Sequence, residues 1–175
     1  MNRKITLKDG RTIKVRPITP DDREGLTEMH TTMSPEALKW GMPPYTPENI
    51  QRRMDRLPNS IALAAEHGGR IVGHATINKQ THPRRRGVSG YNIYLHQDYH
   101  DAGLGTAMTT IILQEARDQG LHKVNLEVVA ENTIAVRVYE KTGFKIEGRI
   151  RDTYYGEDES YHDTLMMGII LDEPA

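Results

Sequence analysis

The sequence predicts a mixed α/β fold in which helices pack on one central sheet, within a single domain that spans residues 1–175. Three observations support this prediction. A length of 175 residues is typical of one domain. Segments with the period-two pattern of strands alternate along the chain with segments of helical spacing. Glycine, proline and helix-capping residues stand at the boundaries between these segments, as expected for an α/β architecture.

The N-terminal third predicts a hairpin of residues 5–7 and 12–15, a helix over residues 19–33 and a second helix over residues 50–56. Asp9-Gly10 supplies the tight turn of the hairpin. Thr19 caps the first helix, and Pro20 takes the first helical position, where a missing N–H costs nothing. Residues 34–46 are rich in proline, so we expect a loop with at most one turn of helix. Thr46-Pro47 repeats the helix-start signature.

The remaining chain predicts six strands and two helices. The strands cover residues 60–66, 71–79, 88–95, 124–129, 146–154 and 160–171, and the helices cover residues 103–119 and 132–142. Gly68-Gly69 marks a hairpin between the first two strands. Gly120 ends the first helix. Asn132 caps the second helix, and Gly143 ends it.

Composition and charge exclude several classes of protein. The chain is 37% hydrophobic and 27% charged, with a net charge of −1 and no cysteine. These values exclude a disordered chain and a disulfide scaffold. The net charge also provides no positive electrostatic field of the kind that attracts nucleic acid. The apolar runs at residues 61–65 and 165–171 are far shorter than the ~20 residues of a membrane span. The first ten residues include four charged side chains and no apolar signal region, so we expect a cytoplasmic protein that binds neither nucleic acid nor membrane.

The sharpest local motif is a glycine-rich junction between the strand at 88–95 and the helix at 103–119. Gly103 and Gly105 allow the backbone to approach a ligand closely, and the helix start directs free N–H groups and a positive dipole end at it. A diphosphate group suits this environment. The dinucleotide fingerprint fails because Met108 replaces its third glycine, and the P-loop fails because no lysine follows the second glycine. A tight turn that binds nothing is the alternative.

Three segments, in this order, resemble motifs of the GCN5-related N-acetyltransferases (GNAT): Tyr99-His-Asp-Ala-Gly-Leu-Gly-Thr106, Leu126-Glu-Val-Val-Ala-Glu-Asn132 and Ala135-x-x-Val138-Tyr139-Glu-Lys141-x-Gly143-Phe144. The sequence most resembles bacterial L-amino-acid N-acetyltransferases, at Val72-Gly73-His74, Pro83-Arg84-Arg85-Arg86, Glu147-Gly148 and Tyr161-x-Asp163. The start, Leu7-Lys-Asp-Gly-Arg-Thr-Ile-Lys-Val-Arg-Pro17, instead resembles protein-lysine acetyltransferases. The two likenesses indicate different substrates.

The resemblance implies a largely antiparallel sheet of about seven strands, flanked by about four helices. The strands at 88–95 and 124–129 would be parallel and splay apart, and acetyl-CoA would lie between them in a core over residues 60–171. The resemblance implies cofactor contacts from Ile93, Tyr94, Leu95, His100, Asp101, Ala102, Gly103, Leu104, Gly105, Thr106, Asn132, Ala135 and Tyr139. The N–H of Leu95 would polarise the thioester carbonyl. His100 stands where the family usually has arginine or glutamine.

The resemblance also implies catalytic roles. Tyr139 would donate a proton to the CoA thiolate, since a phenol of pKa ~10 can serve a thiol of pKa ~8.5; a packing role is the alternative. Glu127 matches a glutamate similar to the base of ribosomal-protein N-acetyltransferases, and a solvent-facing glutamate is the alternative. Ser89 occupies the position of the histone-type base. An α-amine needs little help, because deprotonating it at pH 7 costs about 1 kcal/mol against about 4–5 kcal/mol for lysine.

Other features have simpler interpretations. Arg84-Arg85-Arg86 could attract an acidic substrate or the CoA 3′-phosphate, but a solvated loop is favoured. His96 and His100 straddle a loop, so we expect no metal site. Tyr154, Tyr155 and Tyr161 could complete an acceptor pocket or pack on the sheet. We therefore expect an acetyl-CoA-dependent N-acetyltransferase acting on a small primary amine, such as an amino acid, and forming a homodimer by analogy. A protein N-terminal or lysine acetyltransferase and a non-catalytic acyl-CoA sensor are the alternatives.

Overall fold

The structure, a computed structural model, describes residues 2–172 and contains one sheet of eight strands in the order β1-β2-β3-β4-β5-β6-β8-β7. The strands are β1 (Arg3–Thr6), β2 (Thr12–Pro17), β3 (Ser60–His67), β4 (Arg70–Lys79), β5 (Val88–Leu95), β6 (Lys123–Val129), β7 (Lys145–Tyr155) and β8 (Tyr161–Ile170). The helices are α1 (Arg23–Thr32), α2 (Pro35–Leu38), α3 (Pro47–Met54), α4 (Leu104–Asp118) and α5 (Thr133–Lys141). Within residues 2–172, no helix combines the length and apolarity that a membrane crossing requires.

The mixed α/β fold class is confirmed, with eight strands and five helices where the resemblance implied about seven and about four. One short helix, α2, lies inside the segment predicted as a loop, where the Ser34 side chain accepts a hydrogen bond from the N–H of Ala37. The first predicted helix opens as a 3-10 turn, Pro20–Asp22. In that turn the Asp22 carboxylate accepts the N–H of Thr19 at 2.7 Å. Helix α2 is the single turn that the sequence allowed there, and local capping accounts for it and for the 3-10 start of the first helix.

Strands β5 and β6 form a parallel pair that separates along its length. The register joins Val88 to Lys123, Ser89 to Val124 and Gly90 to Asn125. Beyond Gly90, β5 continues to Leu95 in register with β4, and β6 continues to Val129 in register with β8. The result is a V-shaped opening in the sheet, which we call the wedge. Its inner edges carry backbone groups that need partners from outside the sheet.

Helices cover both faces of the sheet. Helices α4 and α5 pack on one face (the α4 face), and helices α1 and α3 pack on the other (the α1 face). The core of the α4 face includes Leu104, Met108 and Ile112, which are 0% exposed. The smaller core of the α1 face includes Met29 and Met54. Burying one such side chain contributes about 1.5–3 kcal/mol, so each face is stabilised by its own core.

Residues 33–46, between α1 and α3, form a segment that we call the strap. Its start is fixed by Gln97, which follows β5: the N–H of Ser34 donates to Gln97 Oε1 at 3.0 Å. Its middle is held by Tyr154 of β7, whose hydroxyl donates to the Gly41 carbonyl at 2.8 Å. The strap therefore connects the end of β5 with the β7–β8 hairpin and spans the wedge on the α1 face.

Candidate active site

Strand β5 lines one side of the wedge with unpaired backbone groups. The N–H of His96 donates to the Val72 carbonyl in β4 at 2.9 Å. Because backbone direction alternates along a strand, Ile93 and Leu95 must direct their N–H and C=O groups away from β4 and into the wedge. The same register corrects the expectation for Tyr94, whose backbone groups face β4. Tyr94 instead contributes its ring, on the α1 face.

The N-terminus of α4 forms a cradle at the open end of the wedge. Gly103 has a φ of +89°, a left-handed conformation that favours glycine. Within residues 2–172, no acceptor is hydrogen-bonded to the N–H of Gly103, Leu104, Gly105 or Thr106. Free N–H groups at the positive end of a helix attract anions. Residues 100–106, predicted to bind a diphosphate, thus lie together at the end of β5, in a conformation suited to that group.

The residues before Gly103 fix the shape of the cradle. The Nε2–H of His100 donates to the last carbonyl of β5 at 2.9 Å, so this ring bridges the loop. Asp101 has a φ of +56°, and Ala102 is buried, with its carbonyl accepting the N–H of Lys8 at 3.1 Å. A Cβ on Gly103 would lie 3.6 Å from Lys8 Cε. Lys8, which sequence reasoning missed, therefore brings a positive charge to the cradle.

Helix α5 begins beside the cradle and packs closely on it. The Oδ1 of Asn132 accepts the N–H of Ala135 at 3.3 Å, so the predicted cap is confirmed. Ala135 is half-buried against the core of the α4 face. A Cβ on Gly105 would lie 3.7 Å from Val138 and 3.3 Å from Leu95. A small residue at position 105 therefore lets α4, α5 and β5 converge at the mouth of the wedge.

Tyr139 lies on α5, with its ring buried on the α4 face. The ring makes edge contacts with Tyr91 and Phe144, at centroid distances of 6.0 and 5.8 Å. Burial, with a smaller effect from Tyr94, raises the pKa of Tyr139 to about 12. In the described part of the chain, its hydroxyl has no hydrogen-bond partner. The hydroxyl is therefore protonated at neutral pH and free to donate a hydrogen bond.

Glu127 lies on the opposite face. In β6, Leu126 and Val128 enter the core of the α4 face, so the alternation of side chains directs Glu127 to the α1 face. Its Oε1 accepts the hydroxyl of Thr164 at 2.8 Å, and that hydroxyl lies 2.7 Å from the hydroxyl of Thr153. The carboxylate is thus oriented by a pair of hydroxyl groups while it stays exposed.

The two predicted catalytic side chains therefore approach the wedge from opposite faces, Tyr139 from the α4 face and Glu127 from the α1 face. This arrangement suits a transfer in which a nucleophile arrives on one face and a leaving group departs on the other. Ser89 is 1% exposed and, by strand alternation, lies on the α4 face with Tyr91. Its side chain therefore lies on the opposite face of the sheet from Glu127.

A cavity of about 280 Å³ lies at the closed end of the wedge. Four amide side chains line it, those of Asn78, Gln80, Asn92 and Asn125. Glu127 borders the same cavity. The Oδ1 of Asn125 is buried and has no protein partner in the described residues. A buried acceptor of this kind normally bonds water or a ligand, so the cavity supplies polar contacts beside Glu127.

Side chains from five segments meet beside the wedge on the α1 face, and sequence reasoning missed them as a group. We call them the His–Tyr cluster: His30 of α1, Tyr45 of the strap, Arg53 of α3, His74 of β4 and Tyr94 of β5. His30 stacks on Tyr45 at 4.5 Å, and His74 stacks on Tyr94 at 5.3 Å, between ring centroids. The Nε2 atoms of the two histidines lie 3.0 Å apart, so one Nε2–H donates a hydrogen bond and the other Nε2 accepts it.

Burial sets the electrostatics of this cluster. It is the main cause that lowers the pKa of His30 to about 4 and the pKa of His74 well below its ordinary value, and Arg53 adds to both effects. Burial, with Tyr94 second, raises the pKa of Tyr45. His30, His74 and Tyr45 are therefore neutral at pH 7. The cluster then forms an aromatic wall with one charge, the guanidinium of Arg53.

The basic loop predicted from sequence lies away from the cradle. Arg84-Arg85-Arg86 is exposed and precedes β5, roughly 23 Å of strand from the cradle, which favours the solvated loop. Arg85 does border the cavity. His96 Nδ1 lies 3.5 Å from Asp98, and the ring of His100 is bonded to the backbone. Within residues 2–172, no group of three or more His, Asp or Glu side chains could hold a metal ion.

The three tyrosines of the last hairpin have different environments. Tyr154 anchors the strap through its hydroxyl, and Trp40 of the strap packs edge-on against Tyr154 at 6.0 Å and against His162 at 5.1 Å. Tyr155 and Tyr161 contact each other at 5.0 Å and are 59% and 65% exposed. Tyr154 is therefore the member of this set that shapes the α1 side of the wedge.

The sequence profile of the acetyltransferase (GNAT) family matches residues 25–144, from α1 to the residues that follow α5. The chain belongs to this family. As an acetyltransferase of the GNAT family it is an enzyme, an N-acetyltransferase, as the resemblance implied. The match includes the wedge, the α4 cradle and both predicted catalytic side chains.

Named relatives of this acetyltransferase fall into two groups. The L-amino acid N-acetyltransferase AaaT of Escherichia coli (strain K12) is 29% identical over 138 residues, 78% of this chain and 85% of that protein. The [ribosomal protein bS18]-alanine N-acetyltransferase of the same strain is 34% identical over 79 residues, 45% of this chain and 53% of that protein. The acetyltransferase yncA of Salmonella typhimurium, solved with its cofactor acetyl-CoA, has a TM-score of 0.78 at 21% identity and covers 93% of this chain and 96% of its own, which shows the shared fold.

Proposed function

We propose that the protein transfers an acetyl group from acetyl-CoA directly to the primary amine of a small molecule, an amino acid or a similar metabolite. The observation that carries this proposal is the wedge, with Tyr139 and Glu127 on its opposite faces. AaaT, which aligns over 85% of its length, supports an amino-acid acceptor. The ribosomal-protein relative aligns over 53% of its length, which gives a protein acceptor less support.

The residues around the wedge fit acetyl-CoA. The free N–H and C=O groups of Ile93 and the free N–H of Leu95 suit the amide groups of a pantetheine arm. The free N–H groups that begin α4 suit a diphosphate. Asn132 and Ala135, at the start of α5, border the path between these two positions. When bound, acetyl-CoA supplies the acetyl group as an activated thioester.

The side chains and backbone of the wedge then carry out three tasks. The N–H of Leu95 donates a hydrogen bond to the thioester carbonyl oxygen as negative charge develops there. Glu127 accepts the proton that the amine loses, directly or through a water in the cavity. The hydroxyl of Tyr139 donates a hydrogen bond to the departing sulfur. Because the pKa of Tyr139 is about 12 and that of a thiol is ~8.5, complete proton transfer is uphill, and solvent supplies the last proton.

The first test measures CoA release from acetyl-CoA with a panel of amino acids, polyamines, aminoglycosides and short peptides, against a blank without amine. We expect a free amino acid to accelerate release. Acceleration by peptides alone would favour the protein acetyltransferase. No acceleration, with acetyl-CoA still bound in a direct binding assay, would favour the non-catalytic sensor and contradict the proposal.

Replacing Tyr139 by phenylalanine tests the role of the hydroxyl. Because the ring and its packing are kept, we expect acetyl-CoA affinity to stay unchanged while kcat falls about 100-fold, the usual size of a lost hydrogen-bond donor to a developing negative charge. The matched control is Tyr91→Phe, which removes a buried hydroxyl bonded to Thr109 at 2.8 Å. Equal kcat values for Tyr139→Phe and the unmodified enzyme would show that Tyr139 only packs.

Replacing Glu127 by glutamine tests the base. The amide oxygen can still accept the Thr164 hydroxyl, so the geometry is kept while the proton acceptor is lost. We expect kcat/KM to fall at least tenfold at pH 7 and to recover toward pH 9, where more of the amine is already deprotonated. The control is Glu131→Gln, an exposed glutamate in the loop after β6. If kcat/KM of Glu127→Gln followed the same pH profile as that of the unmodified enzyme, water alone would accept the proton of the amine.

A further inference from the structure

Arg53 differs from every other arginine among residues 2–172. The half-buried Arg16, for comparison, pairs with Asp22 and Glu66, each at 2.8 Å. The arginines without a carboxylate partner are otherwise exposed to water. Arg53 is half-buried and has no carboxylate partner in the described part of the chain. Its charge is therefore partly removed from water without being paired.

The contacts that hold Arg53 do not neutralise it. The guanidinium carbon lies 5.3 Å from the ring centroid of Tyr45 and 5.6 Å from that of Tyr94. One N–H donates to the carbonyl of Met42 at 3.1 Å. A guanidinium has five N–H groups in a planar fork, and the others have no acceptor in residues 2–172. The fork is thus positioned by aromatic rings and left with free donors.

The other groups of the His–Tyr cluster also leave this charge unbalanced. His30, His74 and Tyr45 are neutral at pH 7, so none of them balances the guanidinium. A planar fork with free donors matches the two oxygens of a carboxylate, and such charge-assisted pairs are among the strong hydrogen bonds of proteins. A ligand carboxylate would supply the partner that residues 2–172 do not.

Resting on the proposed transfer to an amine, we infer that Arg53 binds a carboxylate of the acceptor, so that the substrates are small amines that carry a carboxylate group. Tyr94 precedes Leu95, whose N–H faces the wedge, and Glu127 lies across the wedge on the same face. An amino acid would thus meet a positive charge at its carboxylate and a negative charge at its amine. The rings of Tyr45 and Tyr94 would contact the apolar part between them.

The same geometry disfavours the other amines in the panel. Polyamines and aminoglycosides would place further cations beside Arg53, and like charges repel strongly where water is partly excluded. A lysine side chain or a peptide N-terminus has no carboxylate close to its amine. Arg53 therefore favours free amino acids over polyamines and aminoglycosides, and also over the amines of proteins.

The experiment compares acids with their amides at saturating acetyl-CoA. The probes are the L-amino acids, β-alanine and 4-aminobutyrate, each beside its carboxamide, which keeps the amine and removes the negative charge. We expect the unmodified enzyme to prefer each accepted acid over its amide by at least about tenfold in kcat/KM, the size of 1.4 kcal/mol. This comparison needs no variant and therefore does not depend on how a variant folds.

Variants assign the preference to Arg53. Arg53→Gln should lower kcat/KM for the acids to the level of the amides, through KM and not kcat, and leave the amides unchanged. Arg53→Lys keeps the charge but not the fork, so it should retain part of the preference. The matched control is Arg52→Gln, the preceding residue, which is exposed and bonded to Asn49 at 3.4 Å. It should change nothing.

Acceptance of acids and amides alike, faster turnover of amides, or an acid preference that survives in Arg53→Gln would each overturn the inference. If no amine is acetylated, the proposed function fails separately, and calorimetric titration of the same probes in the presence of CoA decides the inference. Binding of acids that Arg53→Gln abolishes would support it. Absence of binding, or binding that Arg53→Gln leaves intact, would overturn it.

Discussion

The two faces of the sheet contribute different kinds of group to the wedge. On the α4 face and along β5, the groups available to a ligand are mainly backbone N–H and C=O, at Leu95 and at the start of α4. On the α1 face they are side chains, those of Glu127 and the His–Tyr cluster. The first set comes from one continuous stretch of chain. The second set comes from the α1 helix, the strap and strands distant in sequence.

This difference determines how strongly each part of the site depends on the identity of its residues. A backbone cradle needs only a strand end, a helix start and a glycine at the left-handed position, so many sequences can build it. A cluster of packed side chains depends on the identity of each member. The α4 face therefore suits a ligand shared by the whole family, and the α1 face suits an acceptor particular to this chain.

The largest expected effect concerns the α1 face at acid pH. The pKa of His30 is about 4 in the folded protein, against ~6.5 when unfolded. Above pH 6.5 the ring is neutral in both states. Between pH 6.5 and 4 the unfolded state binds a proton at His30 that the folded state does not, so this residue alone should lower the free energy of unfolding by about 3 kcal/mol. His74, whose pKa is also lowered, should add to this loss. Urea unfolding from pH 7.5 to 4.5 measures this loss.

A variant of His30 tests the assignment of this loss to that residue, and His162 provides a case of the opposite sign. His30→Gln can still bond to His74 but does not titrate, so its stability should depend less on pH in the same window. His162 has the opposite sign, because its hydrogen bond to Asp158 raises its pKa. Its stabilising contribution is present below pH 6.5 and lost as the pH rises through the raised pKa. Parallel stability profiles for His30→Gln and the unmodified protein would contradict the assignment.

A smaller effect is expected at the cradle of the α4 face. Gly103→Ala forces a side chain into a φ of +89°, and we expect it to lower the free energy of unfolding by about 1 kcal/mol. Gly120, at the other end of α4, has a φ of +69° and open space around it, so Gly120→Ala should cost a similar amount. Only Gly103→Ala should raise the KM for acetyl-CoA, because only its methyl group lies beside the free N–H groups. Equal KM values in the two variants would contradict a cradle at Gly103.

The same contrast separates what sequence reasoning predicted from what it missed. Gly103 and Asn132 act through local backbone geometry, so glycine and capping signals located the cradle and the start of α5. His30, Arg53 and His74 are members of ordinary periodic patterns, and their spacing says nothing of their contact in space. The backbone direction of Tyr94 depends on the register with β4, which no local pattern contains. On the α1 face, the resemblance predicted Glu127, but the contacts of the His–Tyr cluster required the structure.

The smallest expected effect is on the KM for acetyl-CoA when Lys8, a charged side chain beside the cradle, is replaced. Its stem runs beside Gly103, so its charge should attract a diphosphate, and exposed charge pairs contribute about 0.2–1 kcal/mol. We therefore expect Lys8→Gln to raise the KM for acetyl-CoA about two- to fivefold at low salt, with unchanged kcat, and less at high salt, where the charge is screened. Lys4→Gln, in β1 of the same hairpin, is the matched control. An unchanged KM in Lys8→Gln would mean that the α4 face binds acetyl-CoA through backbone groups alone. The two faces would then differ completely, with backbone groups on the α4 face and side chains on the α1 face.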